Sequence, residues 1–140
     1  MNWMILPLKR ALDFGGRSRR MEFWMFVLFS VLVGVGAAIL DLMLGYGASA
    51  AHSGAGGYDA WVETRGPVGL ISSLLLVVPQ LAVSVRRLHD INRTGWWLLL
   101  LLLPLVGWLV LLVFYVTEGT RGQNRFGPDP TPSPQVAAEP

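Results

Sequence analysis

Residues Trp96–Val116 read WWLLLLLLPLVGWLVLLVFYV, twenty-one residues without a charge, interrupted only by Pro104 and Gly107. A helix needs about 20 apolar residues at ~1.5 Å each to cross roughly 30 Å of hydrocarbon. This block is long enough to cross. Because an unpaired backbone is not tolerated in lipid, such a stretch is expected to be helical. Pro104 is compatible with a kinked span, since neighbouring groups can satisfy the carbonyl it frees. A re-entrant hairpin is the rival, with arms Trp96–Leu103 and Leu105–Val116 reaching only about 12 and 18 Å.

Two further blocks precede it. Phe23–Leu40 is eighteen residues without a charge and continues past Asp41 to Leu44; Val68–Val85 is another uncharged eighteen. Hydrophobic residues make up 53% of the 140 and charged residues 14%, against about 25% charge in a soluble domain. Mean hydropathy is +0.50. There are too few charges to clothe the outer faces of soluble helices, so lipid is the expected solvent. Eleven basic and nine acidic groups leave a net charge of +2, too small to suggest nucleic acid. The absence of cysteine removes disulfides, thiolate catalysis and cysteine-ligated metals.

The expected fold is therefore an all-α membrane protein with three transmembrane helices, at about 23–44, 68–85 and 96–116, the third kinked at Pro104. Ala48-Ser49-Ala50 resembles a signal cleavage site, but the first apolar region exceeds the usual 7–15 residues, and an uncleaved anchor is expected. Lys9, Arg10, Arg17, Arg19 and Arg20 precede the first span, and only Arg65 lies between the first and second. Arg86, Arg87 and Arg93 lie between the second and third, and Arg121 and Arg125 follow. With the N-terminus inside, three spans put eight basic residues inside and three outside, as the positive-inside rule prefers. A re-entrant third block would put ten inside.

Residues 1–127 are expected to form one integral membrane domain. Residues 1–13 read as a short interfacial helix, and 45–67 as a Gly/Ala/Ser-rich outer loop with Trp61. Residues 128–140, with five of the nine prolines, read as a disordered tail.

Polar motifs punctuate the apolar blocks. In Phe14–Trp24, Ser18 is placed to cap the first helix, Glu22 complements its dipole, and Arg17, Arg19 and Arg20 stand at headgroup level. In Val85–Trp97, Arg86 and Arg87 are four and three residues from Asp90, within ion-pair reach on a helix. His89 beside Asp90 admits acid–base chemistry. A metal would need about three protein ligands, and the only other histidine is His52, in the outer loop. Ser30, Gly34, Ala38 and Asp41 on the first helix and Ser73, Gln80 and Ser84 on the second form stripes expected to face the bundle interior. Glu118–Pro130, with Gly119, Gly122 and Gly127, reads as a tightly turned loop.

In this order the motifs Phe14–Trp24, Arg86–Asp90 with Trp96-Trp97, Pro104–Trp108, and Gly119-Thr120 with Asn124–Pro130 resemble the domain-of-unknown-function 805 family of small bacterial inner-membrane proteins. The resemblance covers roughly residues 3–130. Met21 departs mildly from the Arg or Lys common there, and the 45–67 loop carries none of the matching motifs. The resemblance implies a multi-pass protein of the bacterial inner membrane and names no activity.

The functional expectation is a non-enzymatic membrane component without a cofactor or metal, its N-terminus cytoplasmic. Arg17, Arg19, Arg20, Arg86, Arg87 and Arg93 would form a cytoplasmic collar, ordered by Asp90 and modulated by His89. The collar would hold anionic lipid headgroups or an acidic segment of a partner protein, with a homo-oligomer possible and no nucleic acid. The alternative is a subunit of an oligomeric transporter or proton-coupled carrier using His89 and Asp90.

Overall fold

A computed structural model describes residues 4–46 and 66–131. The outer-loop residues 47–65, with His52 and Trp61, and the tail residues 132–140 lie outside the described residues. The described residues contain helices and turns but no strand; Asn124 and Gly127 alone exchange a pair of backbone hydrogen bonds, both 3.1 Å. The helices are α1 (Leu6–Lys9), α2 (Arg20–Met43), α3 (Pro67–Asp90) and α4 (Val106–Val116), with a 3-10 segment (Gly95–Leu102) before α4.

Both α2 and α3 are 24 residues long and apolar enough to cross a membrane, and only 17% and 22% of their most apolar stretches are buried within the protein. A soluble core helix would be mostly buried. The side chains of Leu28, Leu32, Val35, Leu74 and Leu75 instead stand exposed, as a lipid-facing surface requires. Of the interfacial helix expected over 1–13, residues 1–3 lie outside the described residues, and residues 4–13 hold the single turn of α1, with Pro7 in its first turn.

The chain divides into two compact units, Val27–Val78 and the remainder. Within Val27–Val78, Asp41 binds the start of α3. Its carboxylate accepts the backbone N–H groups of Val68 at 3.0 Å and Gly69 at 2.7 Å, satisfying donors that a helix start leaves orphaned. A Cβ on Gly66 would collide with that carboxylate. Ser30, Gly34 and Ala38 line a groove of about 470 Å³ with Gly69, Ser72 and Ser73.

The other unit contains residues 4–26 and 79–131 of the described chain. Here the third apolar block departs from the expected single span. The 3-10 segment ends at Leu102; Leu103 is extended (φ −99°, ψ 98°), and Leu105 takes φ 65° before α4 begins. Pro explains the break. It lacks an N–H and pushes the preceding residue out of helical conformation. The two pieces fold back on one another. Trp97 meets Phe114 edge-on at 5.2 Å between ring centroids, and the Trp108 indole donates to the Leu101 carbonyl at 3.4 Å. A Cβ on Gly107 would run into the Leu100 carbonyl, so only glycine permits this crossing. The block is a helical hairpin. Its arms, eight 3-10 and eleven α-helical residues, each rise about 16 Å.

Candidate functional site

The hairpin returns residues 117–131 to the end of α3, where every polar motif of this unit meets. Asp90 is the hub. Its Oδ1 accepts Arg17 Nε at 3.0 Å and its Oδ2 accepts Arg87 Nη1. The Asp90 carbonyl accepts both the N–H of Thr120 (2.8 Å) and its hydroxyl (2.9 Å). Gly119 lies so close to the carboxylate that a Cβ would clash with it.

The arginines are held from several directions. Arg17 Nη1 donates to the Gly122 carbonyl at 2.5 Å and its Nη2 to that of Thr120. Arg87 also donates to the carbonyl of Thr117 and, at 3.4 Å, to that of Tyr115. Arg86 turns the other way, to the carbonyls of Arg10 (2.9 Å) and Asp13 (2.5 Å) and to Glu22 Oε1 (3.2 Å). Side-chain exposure is 1% for Arg17 and 0% for Arg86 and Arg87. A buried charge is stable only when paired and hydrogen-bonded, and the sequence supplies two carboxylates and a ring of carbonyls for the purpose.

Ser18 does not cap α2. Among the described residues its buried hydroxyl has no hydrogen-bond partner, nor has Arg86 Nε, while the Ser18 backbone N–H donates to the Arg86 carbonyl at 3.1 Å. His89 is not oriented by Asp90, whose oxygens are taken. Its Nδ1 lies 3.2 Å from the Gly16 carbonyl, and its ring stacks on Phe126 at 3.9 Å with 4° between the planes. Asn124 clasps the same turn, donating to the His89 carbonyl and to the Thr120 hydroxyl, each at 2.9 Å.

The remaining collar residues are spread around the rim. Arg19 is half-buried and donates to the Pro130 carbonyl. Arg20 is exposed and pairs with Glu118 at 3.2 Å. Arg93 lies apart, its guanidinium 5.0 Å from the Trp97 ring centroid and 5.4 Å from that of Phe114, over the hairpin's open end. Residues 128–131, at the start of the segment expected to be a disordered tail, are placed. The Asp129 carboxylate accepts the N–H groups of Gly122 (2.9 Å) and Thr131 (2.8 Å), and these bonds hold it below its ordinary range. Asp13 is likewise lowered, chiefly by its hydrogen bond from Arg10.

Of the eight expected site residues, the structure joins Arg17, Arg87 and Asp90 in one network, sets Arg86 and His89 beside it, and leaves Arg19, Arg20 and Arg93 at the rim. Glu22, Thr120 and Asn124 complete the cluster. Each lies inside one of the polar motifs that the sequence singles out, but nothing local in those motifs pairs them across the chain. Among the described residues no group of three or more His, Asp or Glu is placed to hold a metal.

These interlocking segments lie largely within the stretch that matches a known family. Residues 11–128 match the family described as "Protein of unknown function (DUF805)". The chain belongs to the DUF805 family. It is 42% identical over 134 residues to "Inner membrane protein YhaH" of Escherichia coli (strain K12), covering 96% of this chain and 100% of that protein. It is 41% identical over 130 residues to "Inner membrane protein YhaI" of the same strain, covering 93% and 96%. No solved structure matches. Family and apolar helices together make this a membrane protein, and the Asp90 hub lies within the stretch that defines the family.

Proposed function

We propose that this DUF805 chain is a non-enzymatic component of the bacterial inner membrane whose basic cytoplasmic face engages anionic phospholipid headgroups. In this reading α2 and α3 cross the bilayer. The hairpin enters from the cytoplasmic side and turns back near the middle, its ~16 Å arms matching about half of the ~30 Å hydrocarbon. The N-terminal segment and residues 117–131 then share the cytoplasmic side. One observation carries the proposal: the unit that gathers both segments holds ten of the eleven basic residues, and only Arg65 lies in the other. Basic residues retained at the cytoplasmic surface both orient the chain and draw anionic lipid, at about 1 kcal/mol each.

The buried network supports a division of labour among the arginines. Arg17, Arg86 and Arg87 fix three segments to one another, while the rim residues meet the headgroups. The carrier alternative draws no support from the geometry, because Asp90 is committed to two guanidiniums and His89 to a backbone carbonyl. The test is lipid retention by the purified protein. In phosphatidylcholine nanodiscs doped with phosphatidylglycerol, the lipid shell is expected to be enriched in phosphatidylglycerol, and rising salt should erode the enrichment. A shell of the same composition as the bulk bilayer would refute the proposal.

A further inference from the structure

Between the start of α2 and the 117–131 segment lies a cleft of about 580 Å³, lined by Arg17, Arg19, Arg20 and Arg121 together with Met21 and Thr131. Its acidic neighbours are already engaged. Asp90 is paired with Arg17 and Arg87, Glu118 with Arg20, and Asp129 accepts two backbone N–H groups. Arg121 differs from the rest. It is exposed, and among the described residues no hydrogen bond or ion pair engages its guanidinium. The cleft also faces the first turn of a 24-residue helix. Backbone N–H groups there lack helical partners and the dipole is positive. Guanidiniums and a helix start are complementary to a tetrahedral dianion or monoanion, and arginine grips phosphate through two parallel N–H donors.

We infer that this cleft is a phosphate-binding site, with Arg121 as the free arm that closes on the ligand and Arg19 and Arg20 as its walls. The phosphate is borne by a lipid headgroup or is free in solution. The lipid version rests on the reading above, in which this end of the protein stands at headgroup level. The site is narrower than a basic collar: Arg86 and Arg87 are sealed away from it, and Arg93 and Arg125 stand elsewhere on the surface.

The full chain in nanodiscs separates these possibilities. The double variant Arg19→Gln/Arg121→Gln and the control Arg93→Gln/Arg125→Gln remove the same charge, the first inside the cleft and the second outside it. Phosphatidylglycerol retention is expected to fall about tenfold or more in the cleft variant, as loss of charge-assisted hydrogen bonds implies, and to change little in the control. Equal falls would mean diffuse surface charge and would overturn the site while leaving the anionic-face proposal standing. In a second arm, inorganic phosphate is titrated against the detergent-solubilised protein. Saturable binding that the cleft variant loses, with no lipid preference in the wild type, assigns the site to soluble phosphate and refutes only the lipid reading. No cleft-dependent binding in either arm overturns the inference. Because no bond among the described residues engages Arg121, Arg121→Gln alone gives the same readout should the double variant fail to fold.

Discussion

Asp90 accepts two guanidiniums that pair with no other carboxylate among the described residues, so one negative charge is shared between two positive ones. Replacing it with Asn keeps the volume and removes the charge, leaving Arg17 and Arg87 buried on carbonyl dipoles alone. Breaking a buried pair in this way costs about 3–5 kcal/mol, because the desolvated partner is stranded. Asp90→Asn is therefore expected to lower the thermal unfolding midpoint of the detergent-solubilised protein sharply, or to abolish folding. The exposed pair Arg20–Glu118, with side chains 47% and 71% exposed, supplies the contrast. Glu118→Gln should cost no more than about 1 kcal/mol, since solvent screens the pair. Equal shifts in the two variants would show that burial does not distinguish these pairs. Arg87 with Asp90 was legible from their i,i+3 spacing. Arg17 was not, because seventy-three residues separate it from Asp90 and no local rule reaches that far.

Among elements, the two long helices were legible and the fold-back within the third block was not, for one physical reason. Apolar composition reports the solvent around a segment but not where its ends go. Phe23–Leu40 and Val68–Val85 sit inside single helices that extend a few residues beyond them. Trp96–Val116 has the same composition, yet its far end is held by long-range contacts: Arg87 donates to the Tyr115 and Thr117 carbonyls and Arg20 to that of Val116. The Asp41 cap was hidden similarly, since its donors lie across the outer loop on α3. The hairpin has a direct test. Trp97 and Phe114 rings are 5.2 Å apart, whereas a continuous helix would separate these positions by about 25 Å. With no native cysteine, the pair Trp97→Cys and Phe114→Cys is expected to crosslink efficiently with a short bifunctional reagent. Failure of this pair, beside success of a pair at Leu101 and Trp108, would restore the kinked span.

At the scale of the molecule, the hairpin and the straight span differ in one respect that reaches the whole chain: which side of the membrane receives residues 117–131. Three spans carry Arg121 and Arg125 outward, where basic residues are disfavoured, and would tear Thr120 and Gly122 from Arg17, stranding a buried guanidinium. The hairpin keeps those bonds and, in the proposed topology, would leave only Arg65 of the eleven basic residues outward. Both arguments choose the hairpin independently, one from the distribution of charge and one from the cost of an unpaired cation. Single cysteines can report the outcome without background, because the natural chain has none. Thr131→Cys, on an exposed residue, should react with a membrane-impermeant maleimide in inverted vesicles and stay silent in spheroplasts. Ser53→Cys, in the loop between α2 and α3, should show the opposite pattern. Labelling of both positions from the outer side would return residues 117–131 to the periplasm, and with them would go the shared basic face on which the proposed function depends.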